Sequence, residues 1–455
     1  MKYDLIIIGA GSGGFAAAIQ ANELGAKTLL INSGLPLGGT CVNVGCVPSK
    51  FLIHKAKINV LKNNSLNFAK VIEEELNLVN ELRKEKYEEV LKNLKNVDFI
   101  EGKAKFVSEN EIEINGQRFQ AEKFIIANGS TANVPEIKNI ENVGYLNHIT
   151  ALQNKNLPKS IVVIGAGPVG LEFAQIYSRF GSKVTILQKG NSIFPSGEKE
   201  LTQRLKEILE REGIEIKLNV DVREVRKEGN EKVVKYLING KEQEIKAEEI
   251  LLAAGKTPNT QELDLEKAKV KINERKAIIT NEFLQTTNDN IYAIGDVNDK
   301  PLRLETTAAK EGTIAVLNAL ENKKIKIDYN SVPYTIFTDP ELAGIGFTEE
   351  RQLKELNVCA CRVLELKFVP KARIIKETEG LIKMLINPKT KEITGIHLLA
   401  PFASEIINQG IWLVKNKITI DEVINSMPVF PTISEAIKLC ALSFYKNVAK
   451  ISCCI

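Results

Sequence analysis

Two pairs of cysteines have the spacing to do chemistry. Cys41 and Cys46 lie in "GGTCVNVGCVPSK", Gly38 to Lys50, behind a glycine turn and ahead of a helical run, and Cys453 and Cys454 are adjacent in the closing "ISCCI". The thiolate is the nucleophilic and soft-metal-binding form of cysteine, and its pKa falls at the positive end of a helix. A helix beginning near Cys41 therefore places both sulfurs at or near that end and lowers both pKa values. A pair so placed can cycle between dithiol and disulfide. Seven cysteines in a chain of this length are not the scaffold that small secreted domains need, so each is read from its surroundings. Cys359 and Cys361, in "NVCACRVLELKF", project from one face of a strand. Ordinary packing is expected there, with a second metal site as the alternative, and Cys440 in "EAIKLCALSF" is expected in the core.

The elements that must position the thiols are legible around them. "KYDLIIIGAGSGGFAAAIQANELGAKTLLIN" reads as an apolar strand, a glycine turn, an alanine-rich helix and a second apolar strand. Gly9, Gly11 and Gly14 supply the tight turn, the close approach to a pyrophosphate and the helix-to-strand contact, with phosphate at the helix amino terminus. The arrangement returns at "SIVVIGAGPVGLEFAQIYSRFGSKVTILQK", with Gly165, Gly167 and Gly170. Two dinucleotide sites in one chain suggest electron transfer between two cofactors. "QTTNDNIYAIGDV" reads as a later strand returning to the first site, so the second unit interrupts the first. From about Asn330 the pattern changes to antiparallel strands followed by helices, a mixed α+β unit. The expected fold is α/β, with two Rossmann-like units over 1–148 with 281–329 and over 149–280, and an α+β domain over 330–455.

Composition narrows the function. With 455 residues, 44% hydrophobic and 6% aromatic, the chain has room for about three domains. Its 61 basic and 57 acidic residues leave a net charge of +4, with no basic block interleaved with aromatics, so no nucleic-acid partner is expected. No apolar run is long enough to span a membrane. Met1 leads straight into "YDLIIIG" without signal-peptide features, and a cytoplasmic location is expected.

On these motifs, together with "AIGD" and "VFPTISE", nearly the whole chain resembles the flavin-dependent pyridine nucleotide-disulfide oxidoreductases. That group contains glutathione reductase, dihydrolipoamide dehydrogenase and mercury(II) reductase. The resemblance implies FAD on the first unit, at Gly9, Gly11, Gly14, Asn32, Gly39 and Thr40, with Lys50 beside the flavin and paired with Glu172. It also implies backbone contacts near Ala104 and Gly129, and Asp296 at the ribityl and phosphate region. Nicotinamide dinucleotide falls on the second unit, and the carboxyl-terminal domain forms a homodimer. Cys46 matches the thiol nearest the flavin and Cys41 the outer, exchanging thiol. Asn32 stands where an acid usually holds the adenosine ribose. The second unit ends in Gln188 and Lys189 with no acid, and Lys189 would attract a 2′-phosphate, which favours NADPH over NADH.

The substrate follows from a missing side chain. Disulfide-reducing members of the family carry a histidine before Pro-Thr and a later glutamate, which shuttles protons. Here Pro431, Thr432 and Glu435 remain but Phe430 takes the histidine's place; His54, His148 and His397 lie elsewhere and are read as packing or surface. A soft cation held by thiolates needs no such shuttle. Mercury(II) reductase is the member with a vicinal cysteine pair at its carboxyl terminus, which implies that Cys453 and Cys454 take mercury(II) from small thiols and pass it to Cys41 and Cys46 of the other subunit. Tyr87, in "EKYEEVL", matches a tyrosine that reaches the metal; the second such tyrosine falls at Phe430. An amino-terminal metal-binding domain is not expected. The expected activity is reduction of mercury(II) to elemental mercury by NADPH. The alternatives are a lipoamide-type or small-disulfide reductase and a non-enzymatic soft-metal buffer.

Overall fold

The computed structural model describes residues 2–450 and Ser452; Cys453 and Cys454 lie outside the described residues. The β-branched strand Lys2–Ile8 is buried over most of its length, and Thr28–Asn32 is buried throughout. Strands buried on both faces suit the interior of a parallel sheet. They pair in parallel, Ile6 beside Leu29, in a seven-stranded sheet ordered Val97–Glu101, Thr28–Asn32, Lys2–Ile8, Gln117–Ile126, Glu111–Ile114 and Ala104–Ser108. The short strand Ile291–Ala293 joins this sheet in parallel with Gln117–Ile126, Ile291 opposite Phe124. The chain thus returns to its first sheet after building a second.

That second sheet is parallel and four-stranded, ordered Glu215–Lys217, Lys183–Leu187, Ser160–Ile164 and Glu249–Leu252. An antiparallel meander, Val220–Glu228, Glu231–Ile238 and Lys241–Ala247, accompanies it. The last part carries a five-stranded antiparallel sheet ordered Tyr334–Ile336, Glu341–Gly346, Ile393–Ala400, Leu381–Ile386 and Ala360–Glu365. The helix Ala403–Lys415 packs on it, and the helix Glu435–Leu442 covers the strands Ala360–Glu365 and Leu381–Ile386. Cys440 is fully buried in this core. Ile382, Ile396 and Leu398 are buried in the same core, and burying each such aliphatic side chain contributes on the order of 1.5–3 kcal/mol. The architecture is mixed α/β, two Rossmann-like units and an α+β domain.

The segment after the first βαβ unit departs from expectation. Instead of one helix starting near Cys41, two helices, Gly39–Val44 and Cys46–Leu61, meet at Gly45. A Cβ at Gly45 would lie 2.8 Å from the Thr40 carbonyl oxygen and 3.2 Å from the Cys41 Cα. The break therefore needs a residue without a side chain. Helix Phe68–Arg83 then runs into a π-helical turn, Lys84–Glu88, an irregularity frequent at functional sites.

Candidate active site

The two glycine turns are built alike. A methyl group at Gly9 would overlap the carbonyl of Ala127, and one at Gly165 the carbonyl of Ala253. Gly14 and Gly170 press their helices onto the carbonyls of Gly9 and Gly165. These four glycines act by close packing. Gly11 and Gly167 differ. Gly167 has open space where a Cβ would be, and Gly11 faces only the Cα of Gly39 at 3.8 Å. The helices Ser12–Glu23 and Pro168–Phe180 follow with no acidic residue in their first turns and no side chain capping their amino termini. Backbone N–H groups and open space, with no carboxylate, fit a pyrophosphate at each turn.

Both turns open on one cleft of about 1850 Å³, lined by Gly11, Ser12, Thr40, Gly129, Asp296 and Gly167 among others. Gly129 also leaves its Cβ position open. Asp296 accepts a hydrogen bond from the Ser130 hydroxyl at 2.6 Å. These features fit the phosphate and sugar parts of a bound dinucleotide. Asn32 is buried and donates to the Leu35 carbonyl at 2.9 Å. Ala104, buried, begins the edge strand of the first sheet. Lys189 is exposed beyond the strand Lys183–Leu187. Its neighbour Gln188 uses its carboxamide to accept from Ala166 N–H at 3.0 Å and donate to the Ser192 carbonyl at 3.2 Å, so it steadies the second glycine turn.

The thiols line this cleft. Cys46 is the first residue of the helix Cys46–Leu61 and is exposed, whereas Cys41 lies inside the short helix before it and is half-buried. The two are not equivalent, contrary to the sequence expectation that both pKa values fall. The Cys41 thiol donates a hydrogen bond to the Cys46 sulfur, and the Lys50 ammonium adds its charge, together drawing Cys46 down to about 7. Cys41 is pushed up, first by that same hydrogen bond, which favours its proton, and then by burial. The reduced pair holds one proton on Cys41 and a ready thiolate at Cys46.

Lys50, one helical turn beyond Cys46, places its ammonium 2.8 Å from Glu172 and 4.6 Å from the centre of the Phe337 ring. Glu172, 4% exposed, lies on the helix after the second glycine turn and accepts the Phe337 backbone N–H with its other oxygen at 2.9 Å. Three parts of the chain converge here. Tyr87 stands on the π-helical turn with its ring edge-on to Phe15 at 5.0 Å. A Cβ at Gly38 would lie 2.9 Å from that ring, so the left-handed turn at Gly38, φ 90°, seats the tyrosine. Burial chiefly, and then the nearby Cys41, raise the Tyr87 phenol, while a hydrogen bond from Ser12 opposes them.

Sequence reasoning missed Lys256 and the company of His148. Lys256 and His148 line the cleft, Nζ to Nε2 3.4 Å. Burial lowers Lys256, opposed by Asp296 and Cys46, and burial with the Lys256 charge lowers His148 to about 4. "AAGKTPN", just after the strand Glu249–Leu252, was the available signal for Lys256. His397 is fully buried against the Phe347 carbonyl at 2.8 Å, and His54 is exposed. Phe430 is 51% exposed. Glu435 is buried, its Oε2 has no hydrogen-bond partner among the described residues, and burial raises its pKa.

Comparison with known proteins agrees with this geometry. Residues 3–312 match the family described as Pyridine nucleotide-disulphide oxidoreductase, and residues 332–441 match its dimerisation domain. The mercuric reductase of Staphylococcus aureus is 37% identical over 463 residues, covering 99% of this chain and 84% of that protein. The mitochondrial dihydrolipoyl dehydrogenase of Pisum sativum is 34% identical over 462 residues, covering 97% of this chain and 91% of that protein. Among solved structures, the HOCl-induced flavoprotein disulfide reductase RclA of Escherichia coli superposes with a TM-score of 0.88 at 29% identity, covering 98% of this chain and all of that one. With two open glycine turns, a hydrogen-bonded thiol pair on the cleft they share and family matches across nearly its whole length, the chain belongs to the pyridine nucleotide-disulphide oxidoreductases, enzymes that use FAD and a nicotinamide dinucleotide.

Proposed function

We propose that the protein reduces mercury(II) to elemental mercury with electrons from NADPH. The observation that carries this reading is the Cys41–Cys46 pair lining the cleft with no proton-shuttling side chain at position 430. Disulfide exchange needs a general acid and base at the thiols. Phe430 cannot serve, and Glu435 lacks the imidazole it would orient. A thiolate-bound soft cation accepts electrons without that proton traffic. The similarity to mercuric reductases supports the same choice; that to dihydrolipoyl dehydrogenase keeps the disulfide reading in view.

On this reading residues 1–148 with 281–329 hold FAD, at Gly9, Gly11, Gly14, Asn32, Gly39, Thr40, Lys50, Ala104, Gly129 and Asp296. Residues 149–280 hold NADPH at Gly165, Gly167 and Gly170, with Lys189 toward the 2′-phosphate, and Glu172 fixes Lys50. Bound FAD supplies the two-electron relay between the nicotinamide and the thiols. Mercury(II) arrives as a thiol complex on Cys453 and Cys454 of the partner copy. Cys46, already a thiolate near neutral pH, and Cys41, which gives up its proton, form two sulfur–mercury bonds as the carrier thiolates leave. Tyr87, beside Cys41, steadies the exchanging ligand. Two electrons reduce mercury(II), both sulfur–mercury bonds break with their electron pairs on sulfur, and neutral mercury departs. Overall, mercury(II) and NADPH give mercury(0), NADP⁺ and one proton.

Residues 330–455 form the homodimer interface. Phe402, Trp412, Met427 and Val429 are exposed apolar side chains on this domain, and covering them by a second copy suits the dimerisation match. The reading is tested by anaerobic NADPH oxidation with mercury(II) in excess small thiol, against lipoamide and oxidised glutathione in parallel. Mercury-dependent oxidation with little disulfide turnover supports it, and the reverse pattern overturns it.

A further inference from the structure

A second pair of thiols converges on a carboxylate, Glu349, that also lines the cleft. Cys359 precedes the strand Ala360–Glu365, Cys361 lies on it, and Glu349 opens the helix Glu349–Leu356. One ligand atom from each, two sulfurs and a carboxylate oxygen, lie within 4.8 Å of one another, and all three residues are half-buried. The Cys361 thiol hydrogen-bonds the Glu349 carboxylate, and Cys359 hydrogen-bonds Cys361. Glu349 is held in place. Its Oε2 accepts from the Lys383 ammonium at 2.6 Å and its backbone N–H donates to Glu198 at 2.7 Å. Lys383, 1% exposed, also binds Glu198 and Glu200 at 2.8 Å each.

We propose that Cys359, Cys361 and Glu349 form a binding site for one thiophilic d¹⁰ dication, such as zinc, cadmium or mercury(II). The donor set is the one such cations prefer, two thiolates with a harder third ligand and a fourth position for water or a small thiol. Sulfurs bound to one tetrahedral ion lie roughly 3.7 Å apart at a metal–sulfur distance of ~2.3 Å, so the present spread closes with a modest side-chain adjustment. The charges balance. Binding releases two thiol protons to solvent and forms two metal–sulfur bonds and one metal–oxygen bond, so a dication replaces two protons and the net charge beside Lys383 is unchanged. Lys383 restrains the Glu349 carboxylate, as outer partners of metal ligands do. The site shares no ligand with Cys41 and Cys46 and does not depend on the proposed reaction.

The test uses cadmium(II) as probe on the full chain carrying Cys41→Ser, Cys46→Ser, Cys453→Ala and Cys454→Ala, which leaves Cys359 and Cys361 as the remaining thiol pair beside the buried Cys440. Flavin content and far-ultraviolet dichroism report folding. One cadmium per chain with thiolate-to-metal ultraviolet absorption is expected. Cys361→Ala and Cys359→Ser each abolish that absorption, and Glu349→Gln weakens binding by about 10-fold or more. In the otherwise native chain, Cys361→Ala leaves NADPH-dependent turnover unchanged while the bound-metal count falls by one. Absence of the absorption, or its persistence in both the Cys361→Ala and Cys359→Ser chains, overturns the proposal.

Discussion

The Lys50 ammonium and the Glu172 carboxylate meet at 2.8 Å although 122 positions separate them in the chain. One follows the thiols and the other follows the second glycine turn, so the pair ties the two dinucleotide units together beside Cys46. Glu172→Gln removes the counter-charge and frees Lys50 to move. Small misplacements of reacting groups cost on the order of 10²-fold, and we expect a fall in kcat of about that size with FAD retained. Unchanged kcat in the FAD-loaded variant would show that the pair does not position the reaction.

The pH dependence of thiol reactivity follows from the inequality of the two cysteines. Cys46 is depressed to about 7, so its thiolate is present above that pH and is lost as pH falls through it. Alkylation of the reduced protein at Cys46 should rise through a midpoint near 7. Because the Cys41 hydrogen bond is the largest cause, Cys41→Ala should raise the midpoint further than Lys50→Met does. A midpoint unmoved by Cys41→Ala would remove the hydrogen bond as the cause.

On the proposed reading, nucleotide choice rests on Lys189. Lys189→Glu places a negative charge where the 2′-phosphate is proposed to lie, and the ratio of kcat/KM for NADPH over NADH should fall by about 10-fold or more, ~1.4 kcal/mol. A ratio that stays constant would assign that discrimination elsewhere.

Stability should depend on Lys383 more than on most surface charges. Burial works against its ammonium, yet Glu198, Glu200 and Glu349 together raise its pKa. Lys383→Met leaves Glu198, 4% exposed, without its counter-charge, and breaking such a buried pair costs about 3–5 kcal/mol. Glu200→Gln changes a carboxylate that is 44% exposed and should cost under about 1 kcal/mol. Urea unfolding of both variants, compared at equal slope, measures the difference.

On the proposed reading, the tail separates mercury chemistry from disulfide chemistry. With both Cys453 and Cys454 changed to alanine, NADPH should still reduce the bound flavin at the original rate. Mercury turnover in excess thiol should fall by about 10-fold or more. The defect should shrink when mercury is supplied as its bromide complex, because a small ligand set reaches the inner pair more easily. Undiminished turnover at limiting mercury and excess thiol would mean the tail delivers nothing.

Much of this arrangement was legible beforehand, and the exceptions share a cause. Gly9, Gly14, Gly165 and Gly170 announce their turns because close backbone packing admits no other residue. The short runs of "YTIFTDPELAGIGFT", with a turn between them, announce the antiparallel sheet. What stayed hidden depends on contacts between segments. The helix break at Gly45 arises from the approach of Thr40 and Cys41 carbonyl and Cα atoms, which periodicity does not register. That the Gln188 carboxamide is spent on Ala166 and Ser192 does not show in the run "VTILQKG". The π turn carrying Tyr87 and the gathering of Lys383 with three carboxylates are likewise set by tertiary packing. The unequal pKa values of Cys41 and Cys46 follow from which thiol donates to the other, a matter of local geometry rather than of spacing.

The most direct test of mercury reduction is volatile mercury measured against NADPH consumed, anaerobically, in the native protein and in Cys46→Ser. The electron balance predicts one atom of elemental mercury per NADPH in the native protein and a loss of more than about 10³-fold in the variant. Continued NADPH consumption without volatile mercury, or equal mercury release from Cys46→Ser, would contradict the account.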